Sequence, residues 1–99
     1  MKGDFLDYVI VRNCCQDVFS GELESREGGE VTLRNARSLY WWQEGAGSLS
    51  ELAMNGVKFP ENCRFPCEVD KIVLLEIIEI LYVSEEAKKN ISEVPAWKI

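Results

Sequence analysis

No histidine occurs anywhere in the chain. Imidazole is the usual general base near neutral pH and a common metal ligand. Its absence, together with that of any Gly-rich phosphate loop, G-x-S-x-G elbow or H-E-x-x-H helix, removes the ordinary routes to catalysis. Cations are also scarce: 11 Lys and Arg stand against 17 Asp and Glu, a formal net charge of −6. A surface so poor in cations is not expected to bind duplex nucleic acid non-specifically, because it has little with which to displace counterions. A local basic patch for a small anion remains compatible with that balance. Long apolar runs are missing too. The richest, Ile72 to Val83, carries Glu76 and Glu79 and is too short to span a bilayer. The opening MKGDFLDYVIVRN lacks the apolar centre of a secretion signal. A soluble cytoplasmic protein with no membrane partner is expected.

What is present suits one domain. Ninety-nine residues, 46% of them hydrophobic, leave no room for a second core; the core is expected over about 7–92, with 93–99 as a tail. Four cysteines occur, Cys14, Cys15, Cys63 and Cys67. An adjacent pair followed by C-x-x-x-C matches no zinc spacing, so reduced thiols, no metal and no cofactor are expected. Three Trp, three Tyr and four Phe exceed what so small a core comfortably hides. Some of that area points to an interface or a ligand.

Tyr8 to Arg12 predicts a strand. Val18 to Ser25 and Val31 to Arg34 alternate about a Glu27-Gly28-Gly29 turn and predict a hairpin. Asn35 to Arg37 interrupts the pattern, and Leu39 to Trp42 predicts another strand, broken by Gly45-Ala46-Gly47. Ser48 and Glu51 have capping-box spacing ahead of a short helix from Leu49 to about Asn55, closed by Gly56. Lys58 to Pro66 reads as a loop, and Cys67 to Asp70 as a short strand. Ile72 to Val83 fits either period; the β-branched residues from Ile77 to Val83 favour a strand there, preceded by a bend near Glu76. Ser84-Glu85-Glu86 starts a C-terminal helix that ends before Pro95. The fold class is therefore mainly β with short helices: a small bent-strand barrel or twisted antiparallel sheet. The stretch Gly21-x-Leu23, Val31-x-Leu33-x-Asn35-Ala36 resembles the bent strands of Sm-like and SH3-like barrels, which implies a homo-oligomer with ligands at subunit boundaries.

Candidate catalytic groups are weak. Glu22 and Glu24 share a strand face but suit a solvated outer face far better than a catalytic pair, and neither Cys14 nor Cys67 has an imidazole partner. The densest chemistry is Arg34-Asn35-Ala36-Arg37-Ser38-Leu39-Tyr40-Trp41-Trp42. Arg34 and Arg37 offer planar forks for phosphate, Asn35 an amide for a base edge, and Tyr40, Trp41 and Trp42 stacking faces. Arg12, Lys58 and Arg64 could add a second basic contact across a subunit boundary. The alternative is that the aromatics divide between core and interface while the arginines pair with carboxylates.

Tyr8-Val-Ile-Val-Arg12, Gly21-x-Leu23-x-Ser25-Arg26, the segment from Val31 through Trp42, Ser48-Leu49-Ser50-x-Leu52-Ala53, Gly56-Val57 and Val69-Asp70-x-Ile72 together resemble a family of small phage- and prophage-encoded proteins. Cys14-Cys15 and Leu81-Tyr82 depart from its pattern. The resemblance itself brings no activity. A phage setting, the missing imidazole and the Arg34 to Trp42 segment together lead to the expectation of a non-enzymatic, homo-oligomeric binder that sequesters a nucleotide-like or other small anionic ligand to counter host antiviral defence. Two further possibilities stay open: an acidic, DNA-mimic-like inhibitor docking on a host defence protein through Glu22, Glu24, Glu27 and Glu30, or a virion assembly accessory.

Overall fold

Four consecutive large side chains, Tyr8 to Val11, suit a strand with both faces covered. Strand β1 (Tyr8–Asn13) is that strand. Val9 and Val11 join one apolar cluster with Val31, Leu33, Ala36, Leu74 and Ile77. Ile10 joins the other, with Leu39, Leu52, Phe65 and Ile91 among its members. The computed structural model, which describes residues 6–42 and 48–97, therefore holds two apolar layers with β1 between them.

The predicted hairpin is strands β2 (Val18–Glu27) and β3 (Glu30–Ser38), and Gly28 takes φ 59° in its turn. Strands β4 (Val69–Leu74) and β5 (Ile77–Tyr82) complete one antiparallel sheet in the order β4-β3-β2-β1-β5. In a flat sheet, β4 and β5 would stand four strand spacings apart, about 19 Å. Leu75 and Glu76 alone connect them, and so short a link reaches at most about 11 Å. The sheet must curl until its two edges approach at that end. Register shifts between Ser20 and Glu22, Leu23 and Ser25, and Arg12 and Asn13 provide the bends. Glu76, at φ 58°, turns the chain. Its carbonyl accepts from Cys14 N at 3.1 Å, and Ile77 N donates to Gly29 O at 2.9 Å.

Three expectations change in detail. Asn35-Ala36-Arg37 does not end the strand; β3 continues through it because Asn35 adopts φ 50° and absorbs the irregularity. Leu39 to Trp42 is not a strand, since its only ladder partner among the described residues is the bridge from Trp41 to Arg64. The strand expected over Cys67 to Asp70 begins at Val69 and runs on to Leu74, while the strand expected from Ile77 after a bend near Glu76 is β5. The Gly45-Ala46-Gly47 break lies outside the described residues. The fold class stands: a twisted, mainly β sheet with two short helices.

Those helices, α1 (Leu49–Asn55) and α2 (Glu85–Ser92), cover the Ile10 side of the sheet. Ser48 Oγ accepts from Glu51 N at 3.2 Å, as the capping spacing requires. A short 3-10 turn, Pro60–Asn62, follows α1. Asn90 on α2 clamps the end of α1, accepting from Val57 N at 2.7 Å and donating to Val57 O at 3.0 Å. Gly56 makes this possible: its φ is 77°, and an added Cβ would stand 2.3 Å from Asn90 Oδ1. Gly56→Ala is expected to destabilise the protein by about 2–4 kcal/mol, combining left-handed strain with loss of the clamp. A lower urea midpoint at unchanged slope is the check.

Candidate functional site

Leu39, 2% exposed, anchors the chain as it leaves β3 and sends the next two rings outward. Tyr40 is 65% and Trp41 46% exposed. Arg64 reaches this segment through a short bridge in which its N–H donates to Trp41 O at 2.7 Å. Phe65, fully buried, anchors that side. The tail beyond Pro95 then folds back, Trp97 N donating to Phe65 O at 2.9 Å.

The result is a layer. Arg64 Cζ lies 5.4 Å from the Trp41 ring centroid and 5.5 Å from that of Trp97. Tyr40 stacks on Trp97 at 5.9 Å with 14° between planes. Each exposed cation–ring contact is worth about 0.5–1 kcal/mol, enough to orient a long side chain. Beside Arg64 opens a cleft of ≈ 360 Å³, lined by Trp41, Glu61, Asn62, Cys63, Arg64 and Trp97. Trp41 also borders a second cleft of ≈ 260 Å³, shared with Gln16, Val18, Leu39, Tyr40 and Trp42.

The candidates named from sequence part company here. Tyr40, Trp41 and Arg64 come together. Trp42 is half-buried against the helix-side core. Arg37 is committed to the fold: it is 5% exposed, and its guanidinium donates to four backbone carbonyls. Arg34 pairs with Glu24 at 3.5 Å, and Lys71 reaches the same carboxylate at 3.2 Å. Asn35 donates to Glu22 at 3.2 Å. Arg12 binds Glu79 at 2.8 Å and donates to Gln16 Oε1 at 3.0 Å. Lys58 is exposed after α1.

Trp97 and Gln16 were not legible as site residues. A lone Trp in a tail after proline hints at docking, but nothing local says where it docks. Gln16 carries no motif at all.

Other reactive groups are restrained. All four cysteines are free thiols. Cys14 donates to Glu76 Oε1 at 3.0 Å; this bond, reinforced by Cys15, pushes its pKa up to about 11. A thiol so held is a poor nucleophile. Burial likewise raises the Tyr8 phenol, whose hydroxyl donates to Ser20 at 3.0 Å. Among the described residues, no cluster of three or more Cys, Asp or Glu could hold a metal ion, and no helix is long and apolar enough to cross a membrane.

Residues 6–91 match the family described as Domain of unknown function (DUF6948). The chain belongs to that family. No curated protein and no solved structure matches it. The DUF6948 region takes in all five strands, Trp41 and Arg64. Trp97 lies beyond it, so one ring of the layer comes from outside the matched region.

Proposed function

We propose that the protein is a non-enzymatic binder that captures a small anionic, nucleotide-like ligand on the Arg64 layer. In this reading it works as a homo-oligomer and, in a phage setting, counters host defence by sequestering that ligand. The supporting observation is the guanidinium of Arg64 set over two indole rings. None of the described ion pairs involves it. Among the described residues no carboxylate pairs with it, so its donor fork is oriented by rings and suits a phosphate. The exposed faces of Tyr40 and Trp41 offer a base the stacking surface that nucleotide binders use.

Capture without turnover fits a chain that lacks imidazole and holds Cys14 protonated. Oligomerisation is favoured by the edge strands β4 and β5, which carry exposed Val69, Val73, Ile78 and Tyr82, with exposed Leu75 in the link between them. The defence role is supported by the resemblance to phage and prophage proteins. Docking through an acidic face has less support, because Glu24 is already met by Arg34 and Lys71, and Glu22 by Asn35.

Titration calorimetry against linear and cyclic nucleotides tests the reading. Arg64→Ala is expected to weaken binding about tenfold or more, the worth of a charge-assisted hydrogen bond, with the urea midpoint little changed. Silence of the unmodified protein across the panel would sink the proposal.

A further inference from the structure

The two clefts that share Trp41 differ in chemistry. The cleft toward Arg64 carries charge from Arg64 and Glu61. Among the described residues, the one toward Gln16 carries none; its other described walls are Val18, Leu39, Tyr40, Trp41 and Trp42. Its described lining is aromatic and aliphatic surface with the amide of Gln16.

That amide is held with care. Gln16 adopts φ 72°, a left-handed conformation that costs a non-glycine residue about 1–2 kcal/mol. The turn holds it there: Gln16 N donates to Asn13 O at 3.1 Å, while Asn13 Oδ1 accepts from Cys15 N and Asp17 N, both at 2.9 Å. Strain sustained by a tight turn beside a cleft is a mark of functional positioning. Arg12 NH1 donates to Gln16 Oε1 at 3.0 Å, and Glu79 fixes Arg12 at 2.8 Å. Guanidinium has no acceptor, so the carbonyl end of the Gln16 amide must face Arg12. The NH2 end is then the one available to a ligand, and it can only donate. Arg12, proposed from sequence as a ligand contact, acts as a positioning residue in this arrangement.

We infer that the ligand is bipartite: a heteroaromatic ring with a hydrogen-bond acceptor on its edge lies in the Gln16–Trp42 cleft, and its anionic group crosses the rim of Trp41 to Arg64. This rests on the nucleotide-like reading above and adds a direction to it. The ring end is recognised by stacking and one donated hydrogen bond. The anionic end is recognised by the guanidinium. Neutral nucleosides and sugar phosphates are each half-ligands.

The test uses the full-length protein with adenosine and uridine, their 5′-monophosphates, and ribose 5-phosphate, measured by calorimetry and by competition at saturating excess. Gln16→Met is expected to weaken each nucleoside and its monophosphate alike, by about five- to tenfold, the worth of one neutral hydrogen bond. It leaves ribose 5-phosphate unaffected. Arg64→Gln is expected to weaken the monophosphates and ribose 5-phosphate about tenfold or more and to leave the nucleosides unaffected. Arg12→Leu, which frees the amide to turn over, reproduces Gln16→Met without touching ribose 5-phosphate. If monophosphates bind but each variant weakens nucleoside and sugar phosphate equally, the bipartite arrangement is wrong while capture on the Arg64 layer stands. If no probe binds or competes, both readings fall.

Discussion

Replacing Arg37 with leucine is expected to lower the free energy of unfolding by about 3–5 kcal/mol. Its Nε donates to Pro66 O at 3.1 Å and NH2 to Phe65 O at 2.9 Å. Its NH1 donates to Ile91 O at 3.2 Å and Val94 O at 2.9 Å. One side chain on β3 thereby ties together the segment after the 3-10 turn and the C-terminal end of α2. Burial pushes its pKa below the ordinary arginine value, opposed by nearby Glu68 and Tyr8, so desolvation works against the cation. The carbonyl bonds must outweigh that. Leucine fills part of the volume but leaves the carbonyls without their donors, and unmet buried polar groups are expensive. Lysine gathers its donors at one point and cannot address both segments, so Arg37→Lys should recover only a minority of the loss. Against a total of about 5–15 kcal/mol for a typical domain, the leucine variant sits near the edge of folding. Urea denaturation followed by tryptophan fluorescence is the check; a loss under about 1 kcal/mol would contradict the role assigned.

Phe65→Ala is expected to be of similar size, about 3–5 kcal/mol, the usual result of emptying a buried aromatic site. The ring is fully buried among Ile10, Leu39, Leu52 and Ile91, and the Arg37 guanidinium lies over it with Cζ 5.5 Å from the centroid. The residue also joins fold to site. It follows Arg64 directly, and its carbonyl accepts from Trp97 N as well as from Arg37. Loosening it should therefore weaken ligand capture in addition to stability, whereas Arg64→Ala weakens capture alone. Because Arg37 and Phe65 touch, their effects should not add. The double variant is expected to lose less than the sum by about 0.5–3 kcal/mol, measured in the same denaturation series.

Much of the architecture is visible in the chain before it folds. Alternation on either side of Gly28-Gly29 specifies the β2–β3 hairpin, and four successive apolar residues mark β1 as a central strand. Ser48, Gly56 and Ser84 mark helix ends through hydrogen bonds that span only a few residues. Such signals are legible because cause and effect lie within one turn of helix or one hairpin. The single run from Ile72 to Val83 was harder. The bend near Glu76 was legible, but that the residues on its two sides lie on opposite edges of one sheet depends on how the sheet curls, which no local pattern encodes.

The site is a different matter. Arg34, Asn35 and Arg37 are neighbours in the chain, yet the irregularity at Asn35 and the alternation of β3 deliver them to an acidic outer face and to the interior. Arg64, Trp97 and Gln16, scattered along the chain, are the ones that gather around Trp41. Residue type and spacing were enough to establish a small, mainly β, histidine-free domain and to mark its arginines and indoles as the chemistry to watch. Which arginine meets which indole depended on packing, because contacts between distant segments form only once the sheet has curled and the tail has closed over Phe65.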